Sequence, residues 1–404
     1  MRLSFLQGFN SSLNGILRVQ EQTFQTQAQV SSGRRVVTPA DDPVASARII
    51  QVNQELSQLG QYIDNTDSVE NRLKLAENQL LQLNDVYVRI KELTISTGNA
   101  VYGPLQRQAV AAELDTRLDE LVDLANTRDV NGEYIFAGFQ GSVKPFTQQL
   151  NGQFAYGGDE GQRFVQIAST TDVPISDSGK SIFMDIDAPA NRFNVTANPN
   201  NTGAAAFTAG VVSNQATFDA NYPNDYIIEF SSPTTYFVRD EAGAIILPNP
   251  QPYTSGSPIS FNGADVTING VPAAGDTFLV DSTAKLDIFT AVYNFSEALK
   301  VLTNSPADLA TLDAMRDDML TSILNAESAA NKTQAKIGAR QNTVESVRNL
   351  HSGVELVNEE VLSELRDLDY AEAISRLSLE TFTLEAAQQT FSRVTNLSLF
   401  NFLR

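Results

Sequence analysis

The sequence predicts an α+β protein: a long discontinuous helical bundle, an inserted β-rich domain, and coiled-coil helices at the N- and C-termini. Three observations predict it. Residues 142–282 hold eleven of the fifteen Pro and twelve of the twenty-three Gly, which suits turns between short strands. On either side of that stretch apolar residues recur at alternating spacings of three and four, the mark of a helix with one buried stripe. Both ends carry further apolar seams, set off from the bundle by chain-breaking residues.

Taken in order, residues 1–30 place Leu6, Phe9, Leu13 and Ile16 on one seam, which turns polar at Gln20, Thr23 and Gln27 before Val30. The run SSGRRVVTPADDPVAS from Ser31 to Ser46 then reads as a hinge. Gly33 suits a left-handed residue ending the first helix. Asp41 or Asp42 suits the cap of the next, with Pro43 at its first helical position. From Pro43 to about Gly98 the stripe runs through Ile49, Val52, Leu56, Leu59 and Ile63, slips phase as at a coiled-coil stutter, and resumes at Val69 through Ile90. Such a helix is roughly 80 Å long at 1.5 Å per residue. Pro104 opens a shorter helix through Ala125, left by a turn at Asn131-Gly132.

In the middle, QFAYGGDEGQRFVQI reads as two runs around a glycine turn, and NDYIIEF with TTYFVRDEAGAIIL as neighbouring strands. ADVTINGVPAAGDTFLVDS reads as strand, Gly-Pro turn, strand. The helical pattern returns at Ile288–Leu302 and at Pro306 through Val347, and again over 366–404 at Ile374, Leu377, Leu384, Ala387, Phe391 and Val394. The expected domains are 1–40, an assembly helix and hinge; 41–140 with 283–359, the bundle; 141–282, the β-rich outer domain; and 360–404, a second assembly helix.

A net charge of -20 makes nucleic acid and anionic membrane poor partners. The chain has no Cys, which removes disulfides, thiolate metal sites and a Cys nucleophile. His351 is the one histidine and reads as a solvated or capping residue near a helix end. DSGKS at Asp177–Ser181 has Pro174 where a phosphate loop needs its first Gly, and Asp185-Ile-Asp187 lacks the glycine and closing Glu of a calcium loop. No cofactor, metal or catalytic residue is expected. MRLSFLQGFN lacks the apolar core of a cleavable signal, and no window is apolar enough for a membrane span.

The end seams are thin, with no third partner inside the chain. Isolated helices of this kind are marginal in water. The two ends are expected to be largely disordered alone and to order by packing on copies or relatives. The residues expected at that interface are Leu13, Ile16, Leu377, Leu384, Phe391, Leu399 and Phe400, with Gly33, Asp41, Asp42 and Pro43 as the hinge.

SSGRRVVTPADDP, KIGARQNTVES (Lys336–Ser346), LRDLDYAEAISRLSLE (Leu365–Glu380) and the closing VTNLSLFNFLR together resemble, in order, the signatures of bacterial flagellins and their relatives. The resemblance spans roughly residues 1–140 and 283–404. Asp42-Pro43 and the SLF ending resemble the branch that joins hook to filament. The resemblance implies a flagellin-like fold whose terminal helices form an inner tube, with the bundle as the next shell and the β-rich domain outside. It implies a ring of copies between a hook-side junction protein and flagellin, outside the cell on the flagellum. It implies export without a cleaved signal through the flagellar type III apparatus, after a chaperone has held the C-terminal region. The rival readings are the filament flagellin, an exported adhesin or binding module on a helical stalk, and an enzyme with an unrecognised carboxylate pair.

Overall fold

A computed structural model describes residues 5–99, 102–149, 152–247 and 250–402. Seven α-helices and twelve strands follow one another in it, helices at both ends and strands in the middle. This is the α+β order expected from the sequence. The chain divides into two compact units: one runs from Asp67 to Val344, and the other joins the residues up to Thr66 with those from Glu345 onward.

The long helices α2 (Pro43–Ser96) and α6 (Pro306–Arg366) contribute to both units. In the first unit α2 buries Val69, Leu73, Leu80, Leu83, Tyr87 and Ile90, the stripe set out by the spacing. α6 buries Met319, Ile323, Ala326, Ala330 and Ile337. The phase slip between Ile63 and Val69 does not break α2: Thr66, 1% exposed, fills the seam there, and its hydroxyl donates to the Tyr62 carbonyl at 2.6 Å. Helix α3 (Pro104–Ala125) buries Leu114, Leu118 and Leu121 and packs on α5 (Ile288–Val301), which buries Phe289, Val292, Phe295 and Leu299. The buried Arg107 of α3 donates from Nη2 to the Leu302 carbonyl at 2.9 Å, placing a cation at the negative end of α5.

Strands β1 (Phe146–Gln148) and β2 (Phe154–Tyr156) pair with each other, as do β3 (Phe164–Ala168) and β4 (Thr171–Pro174). The two runs of QFAYGGDEGQRFVQI, expected to be neighbours, are therefore in different hairpins. The reason lies in the loop between them: the Asp159 carboxylate accepts from Phe139 N at 2.7 Å and Gly161 N at 2.9 Å, holding the loop out against residues 137–139. Phe146 of β1 and Phe154 of β2 pack on Phe289 of α5, and two arginines tie the segments flanking the hairpins to the long helices. Arg72 of α2 bonds Asp129, Glu133 and the Ile175 carbonyl. Arg340 of α6 grips Asp177 with both nitrogens, at 2.7 and 2.8 Å.

The remaining strands are β5 (Ile186–Ala197), β6 (Ala206–Val212), β7 (Tyr226–Ser232), β8 (Thr235–Asp240), β9 (Gln251–Pro252), β10 (Pro258–Phe261), β11 (Ala264–Asn269) and β12 (Thr277–Leu286), with the short α4 (Gln215–Asn221) between β6 and β7. They form two antiparallel sheets, ordered β5-β12-β7-β8-β9 and β10-β11-β6. β7 and β8 are neighbours, as expected. β11 and β12 lie in different sheets, so the Gly270–Pro272 turn passes the chain from one to the other. Alternate residues of β7, β8, β11 and β12 enter a shared core that also takes in Phe218 and Tyr253.

Candidate assembly surface

The second unit contains α1 (Phe5–Ser32), the start of α2, the end of α6, and α7 (Tyr370–Phe402). α1 packs along α7, with Phe9 and Phe391 5.0 Å apart at one end and Arg376 Nη2 donating to Gln29 Oε1 at 2.8 Å towards the other. The ends of the chain thus find each other. On α7 the shared seam is Ala373, Leu377, Leu384, Ala387 and Phe391, at heptad spacing. On α1 it passes through Phe9, Ile16, Thr23, Thr26, Gln29 and Val30. The seam does turn polar, but through Thr26 and Gln29; Gln27 points to solvent, because the helical repeat drifts past it.

Of the residues expected at the interface, Ile16, Leu377, Leu384 and Phe391 are half-buried within this pair. Leu13 is 37% exposed beside it. The side chains of Leu399 and Phe400 lie outside the described residues, although α7 runs on to Phe402. Other residues stand bare on the pair: Leu17 and Phe24 on α1, and Tyr370, Ile374, Leu379 and Phe382 on α7, the last at 70% exposure. Ile374 was expected on the α7 seam and is instead exposed; the others belong to second rows on the same helices, which reading one seam per helix does not reveal.

The connection expected to be the hinge is held by backbone and side-chain hydrogen bonds. Gly33 has φ +68°, and its amide donates to the Gln29 carbonyl at 2.9 Å. A Cβ there would stand 2.8 Å from the Tyr370 hydroxyl, so this position requires Gly twice over. Asp42 caps α2, accepting from Ala45 N at 2.9 Å, with Pro43 at the first helical position. Asp41 turns back instead, accepting from Val37 N and Thr38 N. These backbone donors, Thr38 N for Asp41 and Ala45 N for Asp42, hold both carboxyls below the usual range.

This connection does not stand alone. Arg35 N donates to Arg366 O at 2.7 Å, Leu368 N to Gly33 O at 3.1 Å, and Arg35 Nη2 to Leu365 O at 2.8 Å. The two connections, 33–42 and 367–369, are therefore bonded side by side. His351 is not near a helix end, as the adjoining Ser-Gly suggested: α6 runs on through Gly353 to Arg366. The imidazole is 5% exposed and stacked on Tyr62 at 5.9 Å. Among the described residues no cluster of three or more His, Asp and Glu is placed to hold a metal ion, and no helix is long and apolar enough to cross a membrane.

The sequence matches the bacterial flagellin N-terminal helical region over residues 6–141 and the bacterial flagellin C-terminal helical region over residues 320–403, together more than half of the chain. It is 30% identical over 190 residues to flagellar hook-associated protein 3 of Salmonella typhimurium, a stretch covering 47% of this chain and 59% of that protein. It is 22% identical to flagellar hook-associated protein 3 of Escherichia coli over 400 residues, 99% of both chains. Among solved structures, flagellar hook associated protein-3 from Legionella pneumophila is similar with a TM-score of 0.54 at 27% identity, covering 78% of this chain and 98% of that one. FlgL from Xanthomonas campestris is similar with a TM-score of 0.52 at 28% identity, covering 77% and 99%.

Proposed function

The chain belongs to the bacterial flagellin family, and from that premise we propose that it is a structural adaptor joining flagellar hook to filament. The observation that carries this reading is the α1–α7 pair, which fills one seam and leaves apolar rows on both helices bare. Burying a side chain such as Phe382 or Leu17 is worth roughly 1.5–3 kcal/mol, so several together reward association strongly. Copies of this chain in a ring would cover those rows, one side of the ring meeting a hook-side junction protein and the other flagellin. The resemblance, over 99% of the chain in one case and 78% in the other, to proteins named hook-associated protein 3 supports the junction over the filament as the place of action.

The role is mechanical and not catalytic, and requires no cofactor. The chain would act outside the cell on the flagellum, exported without a cleaved signal and held by a chaperone at its C-terminal region beforehand. The hinge at Gly33–Pro43 sets how the terminal pair leaves the long helices. The domain limits 1–40, 41–140 with 283–359, 141–282 and 360–404 describe the parts in the assembled state.

Deleting the gene in the source bacterium tests the reading. Hooks without filaments and flagellin shed into the medium are expected, with both defects repaired by the intact chain. Unchanged filament attachment in the deletion strain would rule the adaptor out.

A further inference from the structure

The last third of α6 carries its polar and apolar residues the wrong way round for a helix that packs only within its own chain. His351, stacked on Tyr62 of α2, begins an inner row that continues at helical spacing through Glu355, Asn358 and Leu362. The apolar residues lie on the flank instead: Leu350 is 60% exposed, Val354 41% and Val357 57%, with Val361 half-buried in line. Their steps of four, three and four make a coiled-coil seam without a partner. Exposed Glu360 and Glu364 border it.

α7 carries a matching row on the side away from α1. Leu379 is 66% exposed and Phe382 70%; Ala386 and Arg393 follow in line, also exposed. Leu379 precedes Arg393 by the same fourteen residues by which Leu350 precedes Glu364. Two parallel helices with Leu350 level with Leu379 bring Val357 level with Ala386 and Glu364 level with Arg393. An antiparallel arrangement centred on Val357 and Phe382 sets Arg393 beside Ser346 and Glu364 beside Ser375, and no charges meet. A second α6 laid parallel and in register would oppose Glu360 and Glu364 to themselves.

The α7 concerned belongs to another molecule. Within one chain only residues 367–369 separate α6 from α7. Three residues reach about 10 Å, whereas the parallel register displaces α7 by twenty-nine residues, about 44 Å of helix.

We propose that the Leu350–Val354–Val357–Val361 flank of α6 is the docking surface for α7 of a second copy, laid parallel, with Arg393 against Glu364. This rests on the adaptor reading only in requiring that copies associate.

The absence of cysteine makes the test direct. Val357→Cys and Ala386→Cys chains are prepared separately, mixed in equal amounts at associating concentration and oxidised with a mild disulfide catalyst, the two being tagged to different masses. The mixed disulfide is expected to exceed either homodimer several-fold, since only that pair is brought within bonding distance. Glu364→Arg should lower its yield several-fold, and adding Arg393→Glu to the partner should restore it. Sedimentation of the unsubstituted chain separates the two failures. Association without the mixed disulfide overturns this docking surface and leaves the adaptor standing. No association at any concentration overturns this docking surface, while the adaptor reading falls only if the deletion strain keeps its filaments.

Discussion

Asp287 stands where β12 ends and α5 begins, and it is asked to do two things. As the cap of α5 it accepts from Phe289 N at 3.0 Å and Thr290 N at 3.2 Å, and it bonds the Thr290 hydroxyl, which in turn accepts from Phe154 N. Yet loss of water around its carboxyl pushes its pKa up to about 7 from 3.8. The groups facing the site from the long helices are Tyr87 of α2, whose buried hydroxyl makes no hydrogen bond, and Glu327 of α6, which sits 3.8 Å from Lys91. Burial first, and then the Asp287 and Glu327 charges, raise the Tyr87 hydroxyl as well. The sign of the consequence is fixed: the folded chain keeps the Asp287 proton to about pH 7, while the unfolded chain releases it near 3.8. Its contribution to stability is whole below the lower value and lost as pH rises through the upper, on the order of a few kcal/mol. Asp287→Asn keeps the cap and removes the titration. Thermal melts from pH 5 to 8 should show the natural chain losing stability more steeply than the variant, with the variant the more stable at pH 8. Superimposable profiles would refute this.

At the scale of elements, the β1–β2 hairpin is held to α5 by aromatic packing, the Phe146 and Phe154 rings lying 5.1 and 5.2 Å from Phe289, whereas the segment after β4 is held to α6 by charge. Arg340 and Asp177 are only 12% and 14% exposed, and removing the arginine leaves a mostly buried carboxylate with Gln162 as its remaining side-chain donor. Arg340→Ala should cost about 3–5 kcal/mol of unfolding free energy in urea. Lys74→Ala, which breaks an exposed i,i+4 pair with Glu70, should move the midpoint little. Neither clamp could be read from the sequence, since Arg72 meets Ile175 and Arg340 meets Asp177 more than a hundred positions away. The helices were legible because spacing is local: Val69 to Ile90 is the buried stripe of α2, and Pro43 and Asp42 start it. Pairing was less so. The separation of β2 from β3 depends on what Asp159 bonds, and the course of α6 past His351 depends on a helix tolerant of Ser352-Gly353 in its interior. At the assembly surface, the inner seam of the α1–α7 pair was visible as periodicity. The bare second rows, Leu17 with Phe24 and Leu379 with Phe382, were hidden because one seam per helix already accounted for the pattern.

For the molecule as a whole, the two units divide the work differently. From Asp67 to Val344 the helices and sheets bury aromatic and branched residues at near-zero exposure and complete their own cores. The unit formed by the two ends does not: its inner seam includes Thr23, Thr26 and Gln29, and its larger apolar residues, Phe24, Leu350, Leu379 and Phe382, remain in water. On the proposed reading, a pair of helices in that condition is held weakly until other molecules complete it. Hydrogen exchange resolved by peptide, in dilute chain and in the associated form, tests this most directly. Peptides from α1 and α7 should exchange orders of magnitude faster than those from α2 between Asp67 and Ser96 in the dilute chain, and gain protection on association. Equal and high protection of all of them in the dilute chain, unchanged by concentration, would contradict the account.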